Sequence, residues 1–364
     1  MLGASITIDT DALRHNVAVL KQAVPEQDVI WMVKANAYGH GADVIVPLLP
    51  ESDCLGVSSW DEASALIDLG ILPRRLVIMR GFLDDDECLA MAQAGVQSVV
   101  HADYQIELLN KLESDSGFSA IWVMVDTGMH RLGFEPEASL AVYQGLKTLA
   151  KGRFPIRYMT HMACADEFDS KHVESQLAAF EPMFQSEAYC SVLNSAGVAN
   201  YPNAHSHCVR IGLALYGISP LAEPNELMNQ LRPVMQFTAP VVSVKTIARG
   251  ERVGYGATWQ AEKETRLAIC AAGYADGYPR EINGASVLCH GKRCAVVGRV
   301  SMGFIAVDVS ELQAVAPGDR VELWGAGMSI NEVASVSDTI PYTLTCHIGS
   351  RVHRFLEEDH DDSK

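Results

Sequence analysis

A lysine stands where an apolar run should least tolerate one. Val29, Ile30, Trp31, Met32 and Val33 have the texture of a strand buried on both faces, and Lys34 follows them directly. An ammonium at the end of such a run loses hydration unless it is paired, neutralised or used covalently. Covalent use is the sharper chemistry: desolvation lowers the pKa of the amine and frees it for Schiff-base formation with an aldehyde such as pyridoxal phosphate. The alternative is a side chain that buries its stem and keeps its head in water. A small-residue, glycine-rich turn, Ala35-Asn36-Ala37-Tyr38-Gly39-His40-Gly41, comes next.

Other reactive side chains recur after short β-branched runs: Asp126 followed by Arg131, His161, Asn194 with Ser195, and Arg210 followed by Gly212. Each alone has an ordinary explanation, since a lone histidine is more often hydrogen-bonded scaffold than catalyst. Gathered in one place they would form a site. The small residues of Asn194-Ser195-Ala196-Gly197 and Arg210-Ile211-Gly212-Leu213 would add free backbone N–H groups suited to a phosphorylated cofactor.

The elements that must gather them are legible as a repeated alternation of short β-branched runs and amphipathic segments from Ile6 to about Tyr216. Eight runs read as strands, near Asp28–Val33, Cys54–Ser58, Arg75–Arg80, Val96–His101, Ala120–Val125, Ile156–Thr160, Ser191–Asn194 and Cys208–Ile211. Helical patterns separate them, at Asp61–Leu69, Asp85–Ala94, Tyr104–Leu112, Glu137–Leu149 and His172–Phe184, several with acidic first turns. Eight such units predict a parallel (β/α)8 TIM barrel, in which chemistry sits at the carboxyl ends of the strands. Asp11–Val24, capped by Thr10, reads as a helix packed on the outside of that barrel. Lys34, Arg131, His161, Ser195 and Arg210 all fall at the strands' carboxyl ends.

After Pro220 the texture changes. Leu221–Leu231 is loop-like, and from Val234 onward short strands are broken by glycine: Ala239–Ile247, Leu267–Ala272, Ser286–Leu288, Cys294–Val297 and Phe304–Val309. A helix at Ile330–Ser337 and a last strand at His347–Phe355 complete this part. The expected organisation is a barrel over residues 1–230, a mostly-β C-terminal domain over 231–357, and a polar, disordered tail over 358–364.

A formal net charge of −17 argues against nucleic acid or an anionic membrane as partner. Neither an export signal nor an uninterrupted apolar span is legible, so a cytoplasmic location is expected. The nine cysteines are dispersed and lack CxxC pairs, which predicts reduced core thiols and no metal site.

The block Val33-Lys34-Ala35-Asn36-Ala37-Tyr38-Gly39-His40-Gly41 resembles the pyridoxal-phosphate attachment motif of the alanine racemases. The resemblance continues in order through Asp126-Thr127-Gly128-Met129-His130-Arg131-Leu132-Gly133, Thr160-His161-Met162-Ala163, Asn194-Ser195-Ala196 and Val209-Arg210-Ile211-Gly212. It extends beyond the barrel to Gly254-Tyr255-Gly256-Ala257-Thr258, Gly273-Tyr274-Ala275-Asp276-Gly277-Tyr278 and Gly298-Arg299-Val300-Ser301-Met302. It implies an isomerase that interconverts L- and D-alanine, supplying D-alanine for peptidoglycan or consuming it, on pyridoxal 5'-phosphate held by Lys34. Two bases are implied, Lys34 for one face of the substrate and Tyr255 for the other. A phenol ordinarily titrates near pH 10, and the family's remedy corresponds to His161 backed by Arg210.

By the same resemblance Arg210 faces the pyridine nitrogen and keeps it unprotonated, and Arg131 and the backbone N–H of Met302 meet the substrate carboxylate. Tyr38, Ser195, Gly212 and Leu213 match the phosphate-binding positions, and Tyr274 the substrate entrance. The implied assembly is a homodimer with shared active sites. Two departures stand out: Met124 occupies the place of a carbamate-forming lysine that braces the arginine in many relatives, and Gly303 replaces an aspartate after Met302. The loss at Gly303 leaves a broad-specificity or serine racemase as an alternative. A fold-related decarboxylase is a weaker one, because no matching cysteine block exists in the second domain. A barrel-only cofactor carrier would lack the region after Val234.

Overall fold

The computed structural model describes residues 3–112, 117–282 and 284–357. The expected disordered tail, 358–364, lies outside the described residues. Eight parallel strands close into a barrel: β2 (Asp28–Met32), β3 (Cys54–Val57), β4 (Leu76–Ile78), β5 (Gln97–Val100), β6 (Ala120–Met124), β7 (Ile156–Met159), β8 (Cys190–Asn194) and β9 (Cys208–Ile211), with β9 pairing back onto β2. Their residues are buried almost throughout, as strands covered by helices on one side and a filled barrel on the other must be. Two tryptophans show how the wall handles its few polar atoms. Trp31 donates from Nε1 to Asp53 at 2.9 Å, and Trp122 donates to Gln97 at 2.9 Å.

The first strand, β1 (Ser5–Ile8), does not open the barrel alternation, contrary to the reading of Ile6. It pairs antiparallel with β10 (Met235–Ile247) and parallel with β18 (His353–Leu356) in the second sheet, because only there do both its edges find partners. The helix after it, Thr10–Ala23, is capped by Asp9, whose carboxylate accepts from the N–H of Ala12 at 2.7 Å; Thr10 is its first helical residue instead of its cap. Buried Asn16 of this helix bonds Leu215 and Arg232, tying the helix to the segment that leaves the barrel.

The second sheet is antiparallel apart from β18. The C-terminal domain comprises two small strands, β11 (Arg252–Val253) and β12 (Trp259–Gln260), and a ring of β13 (Thr265–Cys270), β14 (Ser286–Cys289), β15 (Lys292–Val297), β16 (Ile305–Asp308) and β17 (Arg320–Trp324) with β10. The pairings run β13–β16–β15–β14–β17–β10, and β13 also pairs with β10, so the ring returns on itself. Strand β17 has no counterpart among the runs read from the sequence. The expected last strand begins too early: Pro341–Cys346 forms a short helix with proline at its first position, and β18 starts only at His353.

Candidate active site

At the carboxyl end of the barrel lies a cleft of 770 Å³ lined by Lys34, Tyr38, Arg131, His161, Ser195, Arg210, Gly212 and Leu213, among others. Eight of the ten residues given a base, cofactor or substrate contact by the resemblance thus meet, with Asp126 and Asn194, in one cavity of the size expected for a small cofactor with its substrate. Tyr255 and Met302 do not join it.

Lys34 comes after β2 and opens an unusual turn. Ala35, Asn36, Ala37 and Tyr38 all have φ between 52° and 54°, a single turn of left-handed helix that ends on Gly39. Such a run is unfavourable for L-residues, and neighbours fix it. Glu62 accepts from Ala35 N–H and Ser58 N–H, each at 2.7 Å, and Asn36 Oδ1 accepts from Ala42 N–H at 2.8 Å. Glu62 was missed in the sequence, although Ser59-Trp60-Asp61-Glu62 has the spacing of a helix-capping box. Burial, followed by the positive charge of Arg131, holds the Lys34 ammonium below its ordinary pKa, while Glu62 and Cys346 act in the opposite sense.

The neighbouring strand, β9, makes this side of the cleft electropositive. Arg210, on β9, is buried and donates to Ser191 Oγ at 2.6 Å, the Thr160 carbonyl at 2.6 Å, the Val192 carbonyl at 3.2 Å and Nδ1 of His161 at 3.3 Å. All four acceptors are neutral, so nothing cancels its charge directly. Burial lowers its pKa to about 10, which leaves it protonated at neutral pH. His161 is pushed down to about 3 by burial and then by Arg210. It is therefore neutral, and because a guanidinium can only donate, its Nδ1 accepts and its Nε2 carries the proton. A second network missed in the sequence lies beneath: Gln176 donates to the His161 carbonyl and to Thr127 and accepts from Ala163 N–H. The one available signal was a polar residue within the helix's buried stripe Val173, Phe180, Met183.

Tyr38, Ser195 and Gly212 form a small polar cradle. The N–H of Gly212 donates to Ser195 Oγ at 2.8 Å, and a Cβ added at Gly212 would stand 2.7 Å from the Tyr38 hydroxyl, so only glycine permits this approach. A lysine with a depressed pKa, a fixed arginine and a hydroxyl-rich cradle form the donor set that a phosphorylated aldehyde needs. The group fits the residues present.

Tyr255 sits beyond the cleft on a 3-10 turn between Gly254 and Gly256, and is 65% exposed. Gly254 has φ 75° and would place a Cβ 3.2 Å from the Arg299 nitrogen, so the turn lies against the Arg299–Met302 loop. Met302 is 59% exposed, and its carbonyl accepts from Ala275 N–H at 2.9 Å and Arg351 at 3.3 Å. Arg351 in turn grips buried Asp276 through two bonds of 2.6 and 2.8 Å. Tyr274, flanked by Arg280, lies on the same face.

Two family descriptions match this chain: alanine racemase, N-terminal domain, over residues 8–220, and alanine racemase, C-terminal domain, over residues 234–356. The chain belongs to the alanine racemases. The Coxiella burnetii alanine racemase is 38% identical to it, over 97% of this chain and 98% of its own length. The biosynthetic alanine racemase of Pseudomonas aeruginosa superposes with a TM-score of 0.93 at 37% identity, over 98% of this chain and all of that one. The Bartonella henselae alanine racemase, whose crystal structure has pyridoxal phosphate covalently bound, gives a TM-score of 0.88 at 29% identity, over 98% and 100%. The fold and the activity expected from the sequence therefore stand: a racemase built from a TIM barrel and a β-rich second domain. Neither a serine racemase nor a decarboxylase is favoured by these relatives.

Proposed function

We propose that this alanine racemase uses pyridoxal 5'-phosphate bound at Lys34 and two proton-carrying residues, Lys34 and Tyr255, the second supplied by another copy of the chain. The observation that carries this reading is that the buried amine of Lys34 shares one cleft with a charged Arg210 on the neighbouring strand, while Tyr255 stands exposed outside it.

When bound, the cofactor supplies an electron-withdrawing ring next to the substrate's α-carbon. Lys34 supplies the amine, and burial, by lowering its pKa, favours the neutral, proton-accepting form. Tyr255 carries a proton at its hydroxyl for the opposite face. The positive charge of Arg210 opposes protonation of any base set against it, the ring nitrogen included, which limits electron withdrawal and with it side reactions. Tyr38, Ser195, Gly212 and Leu213 hold the phosphate, and Arg131 with the Met302 N–H receives the carboxylate of alanine.

A homodimer is the assembly that the exposed position of the proposed second base supports. Tyr255, Met302, Phe304 and Tyr274 are exposed side chains of the second domain, and face-to-face pairing would bring them over a neighbour's barrel mouth. No helix among the described residues is long and apolar enough to cross a membrane, and we place the enzyme in the cytoplasm with a small amino acid as substrate.

The test is incubation with individual L-amino acids, quantifying the D-isomer, together with borohydride reduction and peptide mapping. The expected result is D-alanine as the main product and a pyridoxyl label on Lys34. A label on another lysine, or carbon dioxide release without D-isomer, would overturn the reading.

A further inference from the structure

The left-handed turn that follows Lys34 is gripped at its far end by the second domain. Successive residues at positive φ persist only where their surroundings over-determine them, and here the carbonyls at the turn's carboxyl end all have donors. Those of Ala37 and Tyr38 accept from Nδ1 of fully buried His40 at 3.2 and 3.0 Å. The next carbonyl, that of Gly39, accepts from Nε and Nη2 of Arg354 at 3.3 and 3.2 Å. Arg354 is not a barrel residue: it stands on β18, opposite Ile6 of β1 in the second sheet. Its stem lies along Gly41, where an added Cβ would stand 3.5 Å from the Arg354 Cδ, and a Cβ at Gly39 would collide with the Thr345 carbonyl of the Pro341–Cys346 helix. At the turn's amino end Glu62, from the barrel, holds the Ala35 N–H. The turn is thus clamped from the barrel at one end and from the second domain at the other.

We propose that Arg354 is a positioning residue for Lys34: by fixing the Gly39 carbonyl it closes the turn's carboxyl end, and makes the place of the amine in the cleft depend on the second domain. A charged donor holds a carbonyl more strongly than a neutral one. Inside the turn Gly39 N–H donates to the Ala35 carbonyl at 2.9 Å and Ala37 N–H to the Val33 carbonyl at 2.8 Å, so a displacement of Gly39 is passed along to the residues on either side of Lys34. Without the guanidinium the Gly39 carbonyl loses its donor, Ala35, Ala37 and Tyr38 are free to leave positive φ, and the Lys34 side chain swings toward water. Burial is the largest cause holding the Lys34 pKa down, so an amine displaced in this way regains part of its ordinary value. Arg354 does not line the cleft and acts through the turn. The inference rests on Lys34 as the cofactor's attachment point.

The experiment uses the full-length chain, freed of cofactor and titrated with pyridoxal 5'-phosphate. In parallel, Lys34 is labelled with acetic anhydride across a pH series and read by peptide mass spectrometry. Arg354→Met keeps the stem's packing and removes the donors; it is expected to weaken cofactor binding about tenfold and to raise the pH at which Lys34 becomes reactive. Arg354→Lys, which still offers the carbonyl a charged donor, should bring cofactor binding back to within about threefold of wild type and restore the Lys34 profile. Arg354→Gln, shorter and uncharged, should move both readouts in the direction of Arg354→Met, and decides the matter if the Met variant does not fold. A lower Tm with unchanged cofactor affinity and unchanged Lys34 reactivity would make Arg354 a packing residue and overturn the proposal, as would a Lys variant no better than the Met one. Borohydride labelling of the wild type separates the two readings: a label on a different lysine overturns the proposed function and this inference with it, whereas a label on Lys34 with unmoved variants overturns this inference alone.

Discussion

Arg351 shows how a residue outside the chemistry can govern it. Its guanidinium joins Asp276 to the Met302 carbonyl, and thereby anchors the Met302–Gly303 peptide, next to the Met302 N–H that is proposed to meet the substrate. Arg351→Ala should release that peptide and raise the KM for alanine about fivefold, equivalent to about 1 kcal/mol for a half-exposed pair, with kcat within about twofold. Steady-state kinetics would decide it, since a fall in kcat at constant KM would assign Arg351 to the transition state instead. The same guanidinium explains part of the Gly303 departure: a Cβ there would stand 3.0 Å from Arg351 Nη2, so an aspartate would compete with Asp276.

Two histidines make a different claim at this scale. His40 is fully buried, stacked on Tyr216 at 4.3 Å, with burial lowering its pKa to about 4, and His161 lies near 3. In the unfolded chain both rings take up protons below about pH 6.5. Between pH 6.5 and 4 the unfolded state therefore binds more protons, and stability falls as pH falls, by about 1.4 kcal/mol per pH unit for each ring. Above pH 6.5 neither ring contributes. Thermal melts from pH 6.5 to 4.5 should show the slope, and His40→Gln should lose one ring's share of it; an unchanged slope would refute the assignment to His40.

The left-handed turn after Lys34 is the element on which the site depends, and it was the least legible in the sequence. Glycine and asparagine favour positive φ, but Ala35, Ala37 and Tyr38 do not, and local preference cannot announce four such residues in a row. Ala35→Gly removes a strain of about 1–2 kcal/mol and adds about 0.5–1 kcal/mol of unfolded-state entropy, so a Tm gain of a degree or two is expected. Ala35→Val should lower Tm. The reverse order would mean that the turn is unstrained.

The barrel strands, by contrast, were legible to within about two residues, because burial on both faces leaves continuous apolar runs such as Val29–Val33. Strand β1 was misplaced because its partners, residues 235–238 and 353–356, are remote in sequence. The Pro341–Cys346 helix was not read from the sequence, because its Tyr and Thr residues are poor helix formers and it spans less than two turns. The site obeyed the same rule: residues at strand ends could be named, whereas Glu62 and Gln176, which reach it from helices, could not.

At the scale of the whole molecule, the eight cleft residues belong to the barrel, while Tyr255 and Met302 stand on an exposed face of the second domain. With Tyr255 as the proposed second base, the proposed reading calls for a second copy to complete each cleft. The most direct measurement mixes Lys34→Ala and Tyr255→Phe proteins, each nearly inactive alone, under conditions that exchange subunits. Half the dimers are then mixed, each with one site holding both bases and one holding neither, so about a quarter of wild-type activity should return. Activity that stays at the level of the separate variants, despite exchange confirmed by mass spectrometry, would contradict the shared site and place both bases within one chain.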